Sequence, residues 1–225
     1  TAGGLLDQGA LWNEESIAAL VAAAKTTGDA ARGEKHYRAL ACVQCHAIGG
    51  SGGILGPDLS SIGGSAQVDY LVESLLLPNK MIKEGYHSIV VETADFETYS
   101  GIKVEENDTT MLLRDVNGEH TIFLDQIEKT EDGQSLMPGG LLDGLLDNEI
   151  ADMVTFLSSL GRVPEWSVGT EKVVRSWEVL QSSPTIMQRL FQSGPELVAV
   201  DHEELVWGPA YTTVGGTLSI TDFPK

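Results

Sequence analysis

Cys42-Val43-Gln44-Cys45-His46 is the stretch whose reading decides the fold. Two thiols three positions apart sit on one helical turn, where both can add to the vinyl groups of a single porphyrin. The next residue then lies under the metal, and an imidazole there supplies the proximal lone pair. Cys-x-x-Cys-His is therefore a signature of covalent haem attachment. A tether of this kind needs no deep, fully enclosing pocket, so a small fold can hold the group.

Other uses of such a pair ask for more than the chain has. A zinc site wants two further thiolates or clustered histidines. These are the only two cysteines, and the five histidines are scattered at 36, 46, 87, 120 and 202. A thioredoxin-like redox pair follows a strand in a βαβ unit, whereas residues 29–40 predict a helix. A plain disulfide is the remaining alternative.

The 225 residues carry 33 acids against 14 bases, a formal charge of −19. Phosphates repel such a chain, which argues against nucleic acid and anionic membrane surfaces and favours a basic protein partner. No run approaches about eighteen apolar residues, so no membrane span is expected. Haem of this type is attached outside the cytoplasm, which predicts a periplasmic or otherwise extracytoplasmic location. The abrupt start at Thr1 and end at Lys225 predict a piece of a longer chain.

Upstream of the motif, Ile17, Leu20, Val21 and Ala24 recur at helical spacing behind Asn13 as N-cap, which predicts a linker helix within residues 1–27. Residues 29–37 are a short helix running into the motif. Gly33, lacking a side chain, admits a crossing helix, and Tyr37 shares its face. The expected partner is the helix over 147–160, with Asp147 as cap, Ile150, Met153, Val154, Leu157 and Leu160 as its apolar face, and Gly161 as terminator. Downstream, 49–56 is a glycine-rich loop that lets the backbone pass close to the haem edge. Residues 66–77 predict a helix, with Val68, Leu71, Val72, Leu75 and Leu76 on one side and Pro78 just past its end.

Between 85 and 130 the period changes to two. Segments at 88–93, 99–104, 110–114, 120–124 and 127–130 read as strands, with Asn117-Gly118 as a hairpin signal. They predict a small antiparallel barrel or curled sheet. Its ten acids against three bases read as a solvated surface, or alternatively as a docking face for a basic partner. Gln134-Ser135-Leu136-Met137-Pro138 follows. A flexible thioether on a proline-stiffened loop suits a distal iron ligand, in competition with Met81, His87, His36 and Met111, while Met153 and Met187 read as structural. Pro164 and Gly169 mark a linker into the C-terminal segment, 163–225. There 173–180 is ambiguous between helix and strand, 185–192 reads as helix, and 197–200, 204–207 and 212–220 read as strands, with Trp177 and Trp207 in a core.

Gly33-x-x-x-Tyr37, Cys42-x-x-Cys45-His46, Gly56-Pro57-Asp58-Leu59, Met137-Pro138 and the 147–160 helix resemble class I cytochrome c in order and kind. The longer pattern includes Gly56-Pro57-Asp58-Leu59-Ser60-Ser61-Ile62-Gly63, the run from Tyr70 through Ser74 to Pro78-Asn79-Lys80, Gly85-Tyr86, Leu112-Leu113-Arg114-Asp115 and Ser135-Leu136-Met137-Pro138. It is similar to the haem-binding domain found in large planctomycete and verrucomicrobial proteins, over residues 28–162. The resemblance implies one covalent haem c on Cys42 and Cys45, and His46 and Met137 as axial ligands of its iron. It also implies that the Pro57 carbonyl accepts from the His46 ring N–H, fixing the tautomer. Met81 and His87 stand as alternative sixth ligands. The implied architecture is α+β. A class I cytochrome c helical core over 28–84 and 131–162 carries an inserted antiparallel β barrel or sheet at 85–130 and a partly β segment at 163–225. The chain departs from simple cytochromes c in the long separation of His46 from Met137. Relatives are often fused to helical repeats and sugar-dehydrogenase-like propellers, and the last sixty residues resemble the opening strands of a β-sandwich.

The expected function is electron transfer by a carrier module that turns over no substrate itself. It would take electrons from a dehydrogenase, separate or fused, and pass them to a partner protein. The main alternative is a haem enzyme or redox/gas sensor with a displaceable sixth ligand, for which His87 or His120 would have to fold over the haem. A thiol–disulfide oxidoreductase and a glycan-binding adhesive protein are further alternatives.

Overall fold

Two capped helices lead into the cysteine motif in the computed structural model, which describes residues 12–169, 173–181, 183–193 and 205–218. Asn13 accepts from the Ser16 N–H at 2.9 Å to start α1 (Glu14–Thr26), and Asp29 accepts from the Arg32 N–H at 2.9 Å to start α2 (Ala30–Ala39). Each side chain satisfies a donor that a helix start leaves unpaired. After the motif come the short α3 (Ile62–Ser65) and α4 (Val68–Leu76), then a sheet, then α5 (Asp147–Ser159).

α5 is the centre of the helical core. Ile150, Val154, Phe156 and Leu160 are fully buried, each contributing about 1.5–3 kcal/mol by leaving water. Asp147 is its first residue rather than its cap: Leu146 occupies the cap position, and the Glu149 carboxylate accepts from the Leu146 N–H at 2.8 Å. Burial extends beyond the apolar stripe. Asp152 is 1% exposed and accepts from the Asp29 N–H and from the Arg32 guanidinium, at 2.6–2.9 Å. The extra cover is α1, which is part of the core and not a linker. It buries Leu20 and Ala24, and Thr155 donates to the Ala24 carbonyl at 2.8 Å.

α2 and α5 cross at Gly33. A Cβ there would lie 2.1 Å from the Asp152 carbonyl oxygen and 2.7 Å from the Phe156 Cβ. One turn on, Tyr37 packs against Phe156 with ring centroids 5.6 Å apart. Gly33→Ala is expected to force the helices apart and cost about 3 kcal/mol, read as a lowered thermal midpoint of the haem-loaded protein. An unchanged midpoint would mean the crossing is loose.

The sheet contains β1 (Ser88–Thr93), β2 (Thr98–Glu106), β3 (Thr110–Asp115), β4 (Gly118–Phe123) and β5 (Ile127–Asp132), in the order β4-β3-β2-β1-β5. A 3-10 turn at Leu124–Gln126 brings the last strand back beside the first. β4 and β5 therefore lie at opposite edges, and bulges at Glu92/Thr93 and Lys103/Glu105 curl an open sheet rather than a closed barrel. Val91, Met111, Leu113 and Ile122 form its own small core, which removes Met111 from the contest for iron. The hairpin lies one residue earlier than expected. Val116 and Asn117 make the turn, Asp115 pairs with Gly118, and the Asp115 carboxylate accepts from the N–H groups of Asn117 and Gly118. An aspartate gripping the turn backbone replaces the left-handed asparagine that an Asn-Gly turn requires.

β6 (Ser176–Leu180) pairs with β7 (Trp207–Tyr211), and α6 (Pro184–Ser193) lies between them in sequence. This segment is fastened to the helical core. Arg38 donates to the Tyr211 carbonyl at 2.9 Å, Ser51 to the Arg175 carbonyl at 2.9 Å, and the Val214 N–H to Glu34 at 2.9 Å. Trp166, in the stretch expected to be a linker, stands edge-on to Phe156 at 5.4 Å. Trp177 and Trp207 are nearly half exposed and Met187 is exposed, so none is the core residue expected. A two-stranded ribbon has little interior in which to hide them. The strand expected at 212–220 is, as far as residue 218, a turn closed by Thr213 and Thr217. That expected at 197–200 lies outside the described residues.

Candidate functional site

The end of α2 sets up the motif. Ala41 takes a left-handed conformation, φ 58°, and Cys42–Gln44 then form a single 3-10 turn. A side chain in that region costs about 1–2 kcal/mol, so the turn is held by its surroundings. The His46 N–H donates to the Cys42 carbonyl at 2.9 Å, and the Tyr37 hydroxyl to the His46 carbonyl at 2.8 Å. No disulfide joins the two cysteines.

The glycine-rich loop serves the motif from behind. Its Gly53 N–H donates to the Val43 carbonyl at 2.9 Å and its Gly56 N–H to the Cys45 carbonyl at 2.7 Å. A Cβ on Gly53 would lie 1.8 Å from the Gln44 carbonyl oxygen. Of these glycines, Gly56 lines the cavity described below. Gly52 and Gly53 instead press on the motif's own main chain.

His46 Nδ1 donates to the Pro57 carbonyl at 2.9 Å, which assigns the proton to that nitrogen and leaves the Nε2 lone pair available. Burial pushes the imidazole pKa below its ordinary value, with the Pro57 carbonyl pulling weakly the other way; the ring is a neutral donor at physiological pH. Burial also pushes the Cys42 thiol up to about 11 and raises that of Cys45. A dithiol redox pair works through a depressed thiol pKa, so this environment speaks against thiol–disulfide exchange.

Cys42, Cys45, His46 and Met137 line one cavity of about 300 Å³, a size within the range of cofactor sites. A smaller cavity of about 110 Å³ shares Cys42, His46, Pro57, Tyr70, Ser74, Lys83 and Met137 with it. The walls are chiefly carbon, including Leu40, Leu55, Ile82, Leu136 and Leu141. Met81 lines the larger cavity but is 57% exposed. His87 is exposed and His36 lies on α2; neither lines these cavities. His120 sits in the sheet, 5.5 Å from the Tyr99 ring and 3.1 Å from Asp115.

Sequence reasoning gave no site role to Tyr70 and Ser74 on α4, although the family pattern spans them, nor to Lys83 beyond it or Ile102 on β2. Tyr70 and Ser74 carried a usable signal, since two polar residues four apart share one helix face. Lys83 is the one charged side chain lining either cavity among the described residues. The donor set fits a haem: two thiols at one edge, an imidazole of fixed tautomer, a thioether and apolar walls. Gly56 packs directly against the imidazole, because a Cβ there would lie 2.4 Å from His46 Cε1.

The family model for cytochrome c matches residues 30–106, less than half of the chain. The match contains the Cys-x-x-Cys-His motif and ends within β2, short of Met137. No curated protein matches the chain. That family holds iron-bearing haem c by covalent bonds, so the cofactor is haem c and the chain contains a c-type haem electron-transfer module. Among the described residues no helix is long and apolar enough to cross a membrane.

Proposed function

We propose that this module carries a single haem c on Cys42 and Cys45 with His46 and Met137 as axial ligands, and that it shuttles electrons outside the cytoplasm. It would be of the type found in large planctomycete and verrucomicrobial proteins. When bound, the group supplies a one-electron iron couple. The carrying observation is that both thiols, the oriented imidazole and the Met137 loop line one cavity. The Pro57 carbonyl holds the His46 ring so that Nε2 presents its lone pair. Apolar walls exclude water. Among the lining residues, Lys83 would supply a cation, and Tyr70 and Ser74 hydroxyl donors, for the porphyrin carboxylates.

A carrier reading is preferred to that of an enzyme or gas sensor because Met137 lines the cavity with His46, and because Ile102, an all-carbon side chain, is what the strands contribute there in place of the His87 or His120 that a sensor reading would need. A sensor's distal pocket needs polar donors there. The charge of −19 suits a basic redox partner or a fused dehydrogenase, with association weakened by salt.

The test is made on protein expressed with a haem-attachment system. The pigment is expected to stay with the polypeptide in acidified acetone, and the ferrous protein to bind no carbon monoxide without denaturant. Extraction of the pigment would refute the tether, and rapid carbon monoxide binding would refute a sixth ligand held in place by its loop.

A further inference from the structure

Resting on the reading of Met137 as the sixth ligand, we propose that the sheet is a working part of the haem site. Ser88 positions the loop that carries Met137, and Ile102 walls the cavity beside it. β5 ends at Asp132 and runs directly into this loop. The Gly133 N–H donates to the Ser88 carbonyl at 2.9 Å, and the Ser88 hydroxyl donates to the Gln134 carbonyl at 2.5 Å. Ser88 is 2% exposed, and a Cβ on Gly133 would meet its hydroxyl oxygen at 2.2 Å. The fastening continues along the loop. The Ser135 N–H donates to Asn79 Oδ1 at 2.8 Å, and the Ser135 hydroxyl accepts from the Met137 N–H at 3.2 Å. Ser88 and Ile102 are register partners across β1 and β2, so one cross-strand pair serves both purposes.

A neutral thioether is a weak ligand, retained because its loop keeps the sulfur at high effective concentration. An added donor such as imidazole competes with it. Loosening the loop lowers the effective concentration and favours the competitor. The sheet thereby sets how firmly Met137 stays and how much water reaches the cavity at Ile102.

The experiment titrates the ferric, haem-loaded protein with imidazole and follows loss of the sulfur-to-iron charge-transfer band. Ser88→Ala removes the hydroxyl and with it the loop's hydrogen bond at the Gln134 carbonyl; imidazole should bind about tenfold more tightly. Leu113→Ala, in the sheet core away from the loop, should lower thermal stability without changing imidazole affinity. Ile102→Ala, an independent variant that leaves the loop's hydrogen bonds in place should Ser88→Ala fail to fold, is expected to lower the reduction potential and speed imidazole entry. Parent-like imidazole binding in Ser88→Ala would overturn the positioning role, as would an equal shift in Leu113→Ala. A parent-like potential and entry rate in Ile102→Ala would overturn the wall. Met137→Ala separates the premise: survival of its band removes the ligand reading, whereas its loss beside an indifferent Ser88→Ala removes only the sheet's role.

Discussion

Met137→Ala is expected to extinguish the sulfur-to-iron charge-transfer band and to lower the midpoint potential by on the order of 0.1 V. A thioether stabilises the ferrous state, so its loss favours the ferric one. The substitution also opens a coordination position, so the ferrous variant should bind carbon monoxide where the parent does not. Two other donors could refill the gap. Met81 lines the same cavity but is 57% exposed, and drawing its sulfur inward would immobilise that side chain at an entropic cost. His87 is exposed and does not line the cavity, so reaching it would require the chain after Tyr86 to move. A surviving near-infrared band would identify Met81, whereas a bis-histidine spectrum would identify His87. A five-coordinate or water-ligated spectrum is the expected result.

Much of this site was legible because its chemistry is local. Five consecutive residues carry the two thiols and the imidazole that the structure brings to one cavity. Gly56-Pro57 follows within one loop, and its carbonyl meets the imidazole as expected. The Gly33 crossing was also readable, since only a missing side chain allows helix backbones that close. The limits of β1 were read to the residue, its alternation bounded by turn signals. What escaped depends on long-range pairing. Nothing in residues 127–132 announces that β5 pairs with β1, yet that pairing delivers the Met137 loop beside Ser88. α1 looked like a linker because its pattern says which face is apolar and not what covers it; Thr155 and Gly28, far apart in sequence, supply the contact. The Asn-Gly signal failed by one residue because the Asp115 carboxylate offered the turn a competing set of acceptors. The C-terminal ribbon carried no signal for its anchor, which is largely main-chain carbonyls meeting Arg38 and Ser51.

Gly56→Ala tests the proximal half of the site as sharply as Met137→Ala tests the distal half. The new Cβ would lie 2.4 Å from His46 Cε1, 2.6 Å from Nδ1 and 2.9 Å from Nε2, all well inside contact distance. The backbone has little freedom to retreat, because the Gly56 N–H is bound to the Cys45 carbonyl at 2.7 Å and the next residue's carbonyl holds the ring. The imidazole must therefore rotate, which breaks the Pro57 hydrogen bond and turns Nε2 away from the cavity. The cost is about 3 kcal/mol or more in stability, together with loss of the low-spin spectrum that a well-placed histidine produces. Gly144→Ala makes the control, since a Cβ there meets nothing within 4 Å and its backbone is not left-handed; it should leave both spectrum and melting unchanged. A low-spin, parent-like spectrum in Gly56→Ala would mean that His46 tolerates a different ring setting, and that the tautomer assigned through Pro57 does not govern ligation.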